Sequence, residues 1–147
     1  MYSSSLPVTE VVAPVRVELA LRQRDLDALG HVNQAVYHEL LEDVRRAFFQ
    51  HTLPDLPFTG YVLVHVELDY RREVRIEHRY LVGECRVAEL GRSRVELDNR
   101  LLLPDGDVAV EGRAILVAWD EHSRESRKLT EHERKALLSA EPERLRQ

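Results

Sequence analysis

A chain of 147 residues with a single cysteine, Cys85, cannot build an intrachain disulfide framework, nor a multi-cysteine zinc or iron–sulfur site of its own. Positive charge is also short. Lys and Arg number 21 against 26 Asp and Glu, a formal net charge of −5, so the global field that gathers nucleic acid is missing. No apolar run approaches the roughly 18 residues that a membrane helix needs. The opening MYSSSLPVTEVVAPV lacks both the basic start and the continuous apolar stretch of a secretory leader. With 6 Gly, 6 Pro and no low-complexity segment, fibrous and disordered classes are excluded too. What is present is 44% apolar and 32% charged residues, the balance of a globular chain that must bury a core, at a length that suits one domain. A cytoplasmic protein, binding neither nucleic acid nor membrane, is the expectation.

Val15, Val17, Leu19 and Leu21 alternate with Arg16 and Glu18, which predicts a half-buried strand. The polar segment Arg24–Val32 breaks that alternation, and Asn33 is then placed to cap a helix by accepting amides of its first turn. Val36, Tyr37, Leu40, Leu41, Val44, Ala47 and Phe48 recur at helical spacing up to Gln50, so one face of this helix is built for burial. The stretch HTLPDLPFTG, residues 51–60, is a connecting loop. Beyond it, Tyr61–Tyr70, Tyr80–Leu90, Ser93–Leu103 and Val108–Asp120 read as strands, with Pro104-Asp105-Gly106-Asp107 as the hairpin turn before the last. Thr130 and Glu133 have capping-box spacing, and Ala136, Leu137 and Leu138 can dock a short closing helix.

One strand, one long helix and four consecutive strands cannot make a doubly wound α/β sheet, which needs helical crossovers between parallel strands. The expected class is α+β, a mainly antiparallel sheet wrapped on one helix. A flexible tail is expected at 1–14, the domain at 15–140 and a polar tail at 141–147.

The segment 24–37, RDLDALGHVNQAVY, carries Asp25, Asp27, Gly30, His31, Val32, Asn33 and Tyr37. It closely resembles the D-x-D-x-x-G-H-V-N-N-x-x-Y signature of hotdog-fold acyl-CoA thioesterases of the 4-hydroxybenzoyl-CoA thioesterase-like group. The likeness continues through Leu41-Glu42-Asp43-Val44-Arg45, Val66-Glu67-Leu68-Asp69-Tyr70, Gly91-Arg92-Ser93-Arg94, the Asp105-Gly106-Asp107 turn and Trp119-Asp120, and so covers Val15 to Asp120. Gln34 departs from the pattern in place of a second Asn, Glu73 where relatives often have Pro, and Glu77-His78 where a Gly-Asp turn is common. The resemblance implies a single hotdog domain, a curved antiparallel sheet around one long central helix. It also implies subunits that pair as a homodimer or homotetramer with active sites at the interface. Its activity would be hydrolysis of an acyl- or aroyl-CoA to the free acid and CoA, with no cofactor, coenzyme A being part of the substrate.

Thioester hydrolysis needs a base or nucleophile at the carbonyl carbon and donors aimed at the oxygen that becomes negative. Carried over from the family, Asp27 is that carboxylate, acting on water or attacking directly through an anhydride. The amides of Val32, Asn33 and Gln34, at a helix start where peptide dipoles favour negative charge, are the candidates to polarise the carbonyl. His31 matches the family histidine and is a candidate to orient water or substrate. Tyr37, Arg92, Ser93 and Arg94 match substrate-binding positions, the arginines suiting the phosphates of coenzyme A, with Arg71 and Arg72 as a second basic patch. Leu29 stands where some relatives have Asn, so an Asp-Asn-His trio is incomplete.

Each residue also has a plainer reading: Asp27 a turn former, Asn33 a cap, His31 a prop for the turn, Glu42 and the arginines solvated faces. Asp25, Asp27 and His31 lack the companion cluster of a metal site, Ser93 sits in no G-x-S-x-G elbow, and Cys85 within a strand reads as a small core residue. Two other functions fit the same residues: hydrolysis of a thioester held by an acyl carrier protein, and acyl-CoA binding without turnover.

Overall fold

The structure, a computed structural model, describes residues 14–139 and 144–146. Strand β1 (Val15–Ala20) turns Val15, Val17 and Leu19 into the core, as its alternation requires. Helix α1 (Gln34–Thr52) starts where Asn33 caps it, Oδ1 accepting the Ala35 amide at 2.9 Å. Strands β2 (Tyr61–Tyr70), β3 (Tyr80–Leu90), β4 (Arg94–Leu102) and β5 (Val108–Asp120) follow their expected bounds to within one residue. They pair antiparallel in the order β2-β5-β4-β3-β1, and the curled sheet wraps α1. This is the expected α+β hotdog architecture.

The helix buries Val36, Tyr37, Leu40, Leu41, Val44, Arg45, Ala47, Phe48 and Phe49 against the sheet. Each large apolar side chain so placed contributes about 1.5–3 kcal/mol relative to exposure, which outweighs the modest propensity of any isolated helix. Gly83 on β3 leaves room for the helix, since any Cβ there would fall within the Val44 side chain.

Three details differ from expectation or extend it. A two-residue strand β6 (Glu125–Ser126) pairs with the end of β5. Helix α2 (Glu131–Leu138) buries Leu137 and leaves Leu138 outside, because consecutive residues point about 100° apart on a helix and one short face cannot hold both. Residues 144–146, expected within a polar tail, form strand β7 (Arg144–Arg146), parallel to β1 with Arg16 opposite Arg144. The free edge of β1 offers a row of unpaired peptide groups that such a segment satisfies. The N-terminal tail expected at 1–14 lies, apart from Pro14, outside the described residues.

Helix α2 is locked by a buried ion network. The Glu133 carboxylate accepts from Arg127 at 2.7 and 2.9 Å, from the Tyr61 hydroxyl and from the Thr130 amide at 2.8 Å, while Thr130 Oγ1 accepts the Glu133 amide, the anticipated capping box. Burial alone would raise this carboxyl, but the hydrogen bonds from Arg127, the Thr130 amide and Tyr61 outweigh it and hold it down at about 2. A carboxyl depressed from its ordinary 4.5 stabilises the fold above that pH, and the benefit fades as pH falls toward 2. Glu133→Gln is therefore expected to cost about 3 kcal/mol at neutral pH, the low end for one member of a buried pair because Arg127 keeps some solvent contact. Urea titration should show the gap between wild type and variant shrinking from pH 4.5 to pH 2; a gap independent of pH would count against the network.

Candidate active site

The signature segment forms a closed loop at the end of the sheet where β1 stops and α1 starts. Asp25 is buried and holds the chain on the way in: its carboxylate accepts the Arg22 amide at 2.9 Å and the Arg22 guanidinium at 3.0 Å. Leu26 and Val32 then pair as an isolated bridge, closing the loop between them. Within it, Asp27 Oδ1 accepts two backbone amides, Leu29 at 2.8 Å and His31 at 3.1 Å, while its own amide donates to the His31 carbonyl. Gly30 completes the turn at φ +80°, a conformation that side chains resist. One carboxylate oxygen is thus spent on loop geometry, and Oδ2 meets no donor among the described residues.

The amides expected to polarise a carbonyl are not equivalent. Val32 donates to the Val74 carbonyl at 3.1 Å and Asn33 to the Asp25 carbonyl at 2.8 Å, so neither amide is available. This corrects the expectation for both: the two are consumed in bracing the loop against the segment after β2 and against its own entry. Asn33 serves as cap, and the Ala35 amide is taken by its side chain. The Gln34 amide, first in α1, meets no acceptor among the described residues. It sits where the helix dipole and unpaired donors favour negative charge.

Asp27, His31, Gln34 and Tyr37 line one cavity of about 290 Å³ together with Val32, Tyr70, Arg71, Arg72 and Glu73. His31 Nε2 lies 2.7 Å from Glu73 Oε2. Tyr37 is packed beside Tyr70, ring centroids 5.2 Å apart. Burial, followed by the nearby Tyr70, Asp27 and Glu73, pushes the Tyr37 phenol up to about 12, so it stays a neutral donor. Arg71 is anchored to Glu111 at 2.7 Å and Arg72 to Asp105 and Asp107, so both arginines at this rim are held in ion pairs.

Arg92, Ser93 and Arg94 are not in this cavity. They form the turn between β3 and β4, where the Ser93 carbonyl accepts from Ala118 and the Arg92 carbonyl from Leu129. The cavity lies at the other end of β3, and its 11 residues at about 3.3 Å each put roughly 33 Å of strand between the two. Within one chain, then, these three residues and Asp27 do not share a cavity, and the expectation of a site built by paired subunits is the one under which they would meet. Glu42 pairs with Arg46 at 3.8 Å on the exposed helix face. Cys85 is wholly buried, its thiol pushed up to about 12, and is inert. Sequence reasoning missed Tyr70 as a wall of the site and saw Glu73 only as a departure from pattern; the periodic end of β2 signals the first, and nothing local signals the contact of the second. A larger cleft of about 620 Å³ on the outer face of the sheet gathers Glu84, Arg86, Asp98, Arg100 and Arg113. Its charges neutralise one another, Glu84 with Arg16 and Arg100, Asp98 with Arg86, and it presents no reactive arrangement.

A sheet curled around one helix, with a carboxylate and a helix-start amide that meets no acceptor among the described residues on one cavity, fits the class that the comparisons show: a hotdog thioester hydrolase. The chain belongs to the thioesterase-like superfamily, whose family model matches residues 21–141. Among solved structures it is similar to a thioesterase from Thermus thermophilus complexed with coenzyme A and Zn, at 32% identity and TM-score 0.78, over 88% of this chain and 97% of that one. The PA2801 protein of Pseudomonas aeruginosa is 26% identical, TM-score 0.74, with 86% and 98% covered. A DHNA-CoA thioesterase from Staphylococcus aureus shares the fold at 16% identity and TM-score 0.69, with 79% and 80% covered. No curated protein sequence matches the chain. No helix among the described residues is long and apolar enough to cross a membrane.

Proposed function

We propose that the protein hydrolyses acyl- or aroyl-CoA thioesters to the free acid and CoA, in the cytoplasm and without a cofactor. The observation that carries this is the placement on the same cavity of Asp27 and Gln34, whose Oδ2 and backbone amide meet no partner among the described residues. The Gln34 amide donates to the thioester carbonyl oxygen, whose charge grows as the carbon becomes tetrahedral. Asp27 Oδ2 takes the proton of the attacking water, or adds to the carbonyl itself to give an anhydride that water then cleaves. In both routes the C–S bond breaks and the CoA thiolate leaves. Support for a CoA thioester comes from the Thermus thermophilus relative, which was solved with coenzyme A.

The test is release of free thiol from a panel of short, medium, long and aromatic acyl-CoA thioesters. Turnover of one class supports the reading and identifies the acyl group. Absence of turnover on every CoA thioester, with turnover of carrier-linked ones, would replace it by carrier-protein hydrolysis; tight CoA binding with no turnover of either would replace it by a binding module.

The working unit we infer is a pair of chains joined along β2. This strand is the edge of the sheet, ten residues long, and exposes Val62, Leu63, Val64 and Tyr70. A long exposed edge with unpaired peptide groups and a cluster of apolar side chains is a template for pairing with another chain. Antiparallel pairing of two β2 strands about a two-fold axis brings the far end of the partner's sheet, with the partner's Arg92 and Arg94, toward the end that carries the Asp27 cavity. Val64→Lys together with Leu63→Lys should convert a dimer to a monomer in light scattering and lower affinity for CoA; an unchanged mass would exclude β2 as the interface.

A further inference from the structure

We propose that Glu73 is a positioning residue that sets the tautomer and orientation of His31 for the hydrolytic step, an inference that rests on the thioesterase reading above. Glu73 Oε2 lies 2.7 Å from His31 Nε2, and the other carboxylate oxygen, Oε1, faces Arg75 Nε at 3.7 Å. The two residues are brought together by backbone. His31 and Arg75 form an isolated β-bridge, and the next amide, Val32, donates to the Val74 carbonyl at 3.1 Å. The segment after β2 is therefore stitched to the signature loop immediately beside the side-chain contact.

A carboxylate only accepts, so a hydrogen bond across this contact requires the hydrogen on Nε2 of His31. In the neutral ring this makes Nε2–H the held tautomer and leaves the lone pair on Nδ1. The groups around the ring are named by the same geometry. Asp27, on the loop, accepts the amide of His31 itself. Arg71, Arg72 and Glu73 follow β2, and the phenols of Tyr37 on α1 and Tyr70 on β2 complete the wall. Of these carboxylates, Asp27 already spends Oδ1 on the loop, whereas Glu73 Oε2 is the one in contact with the ring.

In hydrolysis one O–H bond of water breaks as its oxygen bonds to the acyl carbon, and that proton passes to Asp27. The second hydrogen remains on the water oxygen, and Nδ1 of a ring held by Glu73 is the acceptor that orients it. Breakage of the C–S bond returns the electron pair to sulfur. His31 acts on the water, and Glu73 acts only through His31. A purely structural role for the pair is small, because both side chains are about half exposed and a surface ion pair contributes about 0–1 kcal/mol.

The experiment compares wild type with Glu73→Gln, Glu73→Ala and Glu73→Asp, all first shown to melt like wild type. Nitrogen-15 NMR of labelled histidine reads the His31 tautomer, and steady-state kinetics on the best acyl-CoA read kcat and KM separately. The expected result is Nε2–H in wild type, a mixture in the Gln and Ala variants, kcat lowered roughly tenfold or more with KM little changed, and partial recovery in Glu73→Asp. A tautomer unmoved by loss of Glu73, or a kcat unmoved while the tautomer shifts, overturns the proposal. Wild type that hydrolyses no thioester overturns the thioesterase reading instead, while the tautomer comparison still decides whether Glu73 sets His31.

Discussion

Asp27→Asn should leave a folded protein whose thioester hydrolysis falls by about 10²–10⁴-fold, the range contributed by a positioned acid–base group. Folding is expected to survive because the asparagine side-chain oxygen can still accept the Leu29 and His31 amides, the two bonds that Oδ1 makes in the loop. Chemistry is expected to fail because the other position becomes an amide nitrogen, which neither takes a proton from water nor attacks a carbonyl. The pair of measurements is thiol release and a thermal melt on matched preparations. A variant that melts like wild type and turns over like wild type would remove Asp27 from the mechanism. Asp27→Ala is the useful contrast, since it loses the loop contacts as well and should lower both activity and melting temperature.

Gln34→Pro carries the next largest expected effect, a loss of about 10²–10³-fold in kcat, the usual consequence of deleting one oxyanion donor. Proline removes the backbone N–H of a residue that lines the cavity, along with its side chain, at the first helical position, where proline is well tolerated. Gln34 is the first residue of α1, and Asn33 before it already has ψ 136°, the extended conformation that a following proline demands. The cap bond from the Ala35 amide to Asn33 is untouched. Circular dichroism should therefore be preserved while kcat falls. Gln34→Ala, which keeps the amide and deletes the side chain, should retain most of the activity; equal losses in the two variants would mean that the side chain, not the amide, touches substrate.

The elements were largely legible in the residue order because their causes are local. Alternation of Val15, Val17 and Leu19 makes one face of a strand wherever that strand goes, and the spacing from Val36 to Phe48 makes one face of a helix. Asn33 and Thr130 cap through bonds to amides two or three residues on. The strand β7 was not legible, since nothing in Arg144–Arg146 itself favours pairing and its partner, β1, lies at the other end of the chain. The Leu137–Leu138 pair shows the same limit at small scale: both are apolar, and only the docked helix decides which one faces inward.

For the site, the sequence by itself determined the signature loop: Asp27, Gly30, His31 and the cap at Asn33 act through bonds that all fall within residues 27–35, so their geometry follows from their spacing. Tertiary structure alone decided which amides stay unpaired among the described residues. Val32 is engaged by Val74 and Asn33 by Asp25, leaving Gln34, and no reading of 24–37 in isolation contains the first of those contacts. It also decided that Glu73 meets His31, 42 positions apart in the chain, and that Arg92 and Arg94 lie a full strand away from Asp27. A hydrogen bond can be spent only once, and which partner takes it depends on what the rest of the fold brings alongside.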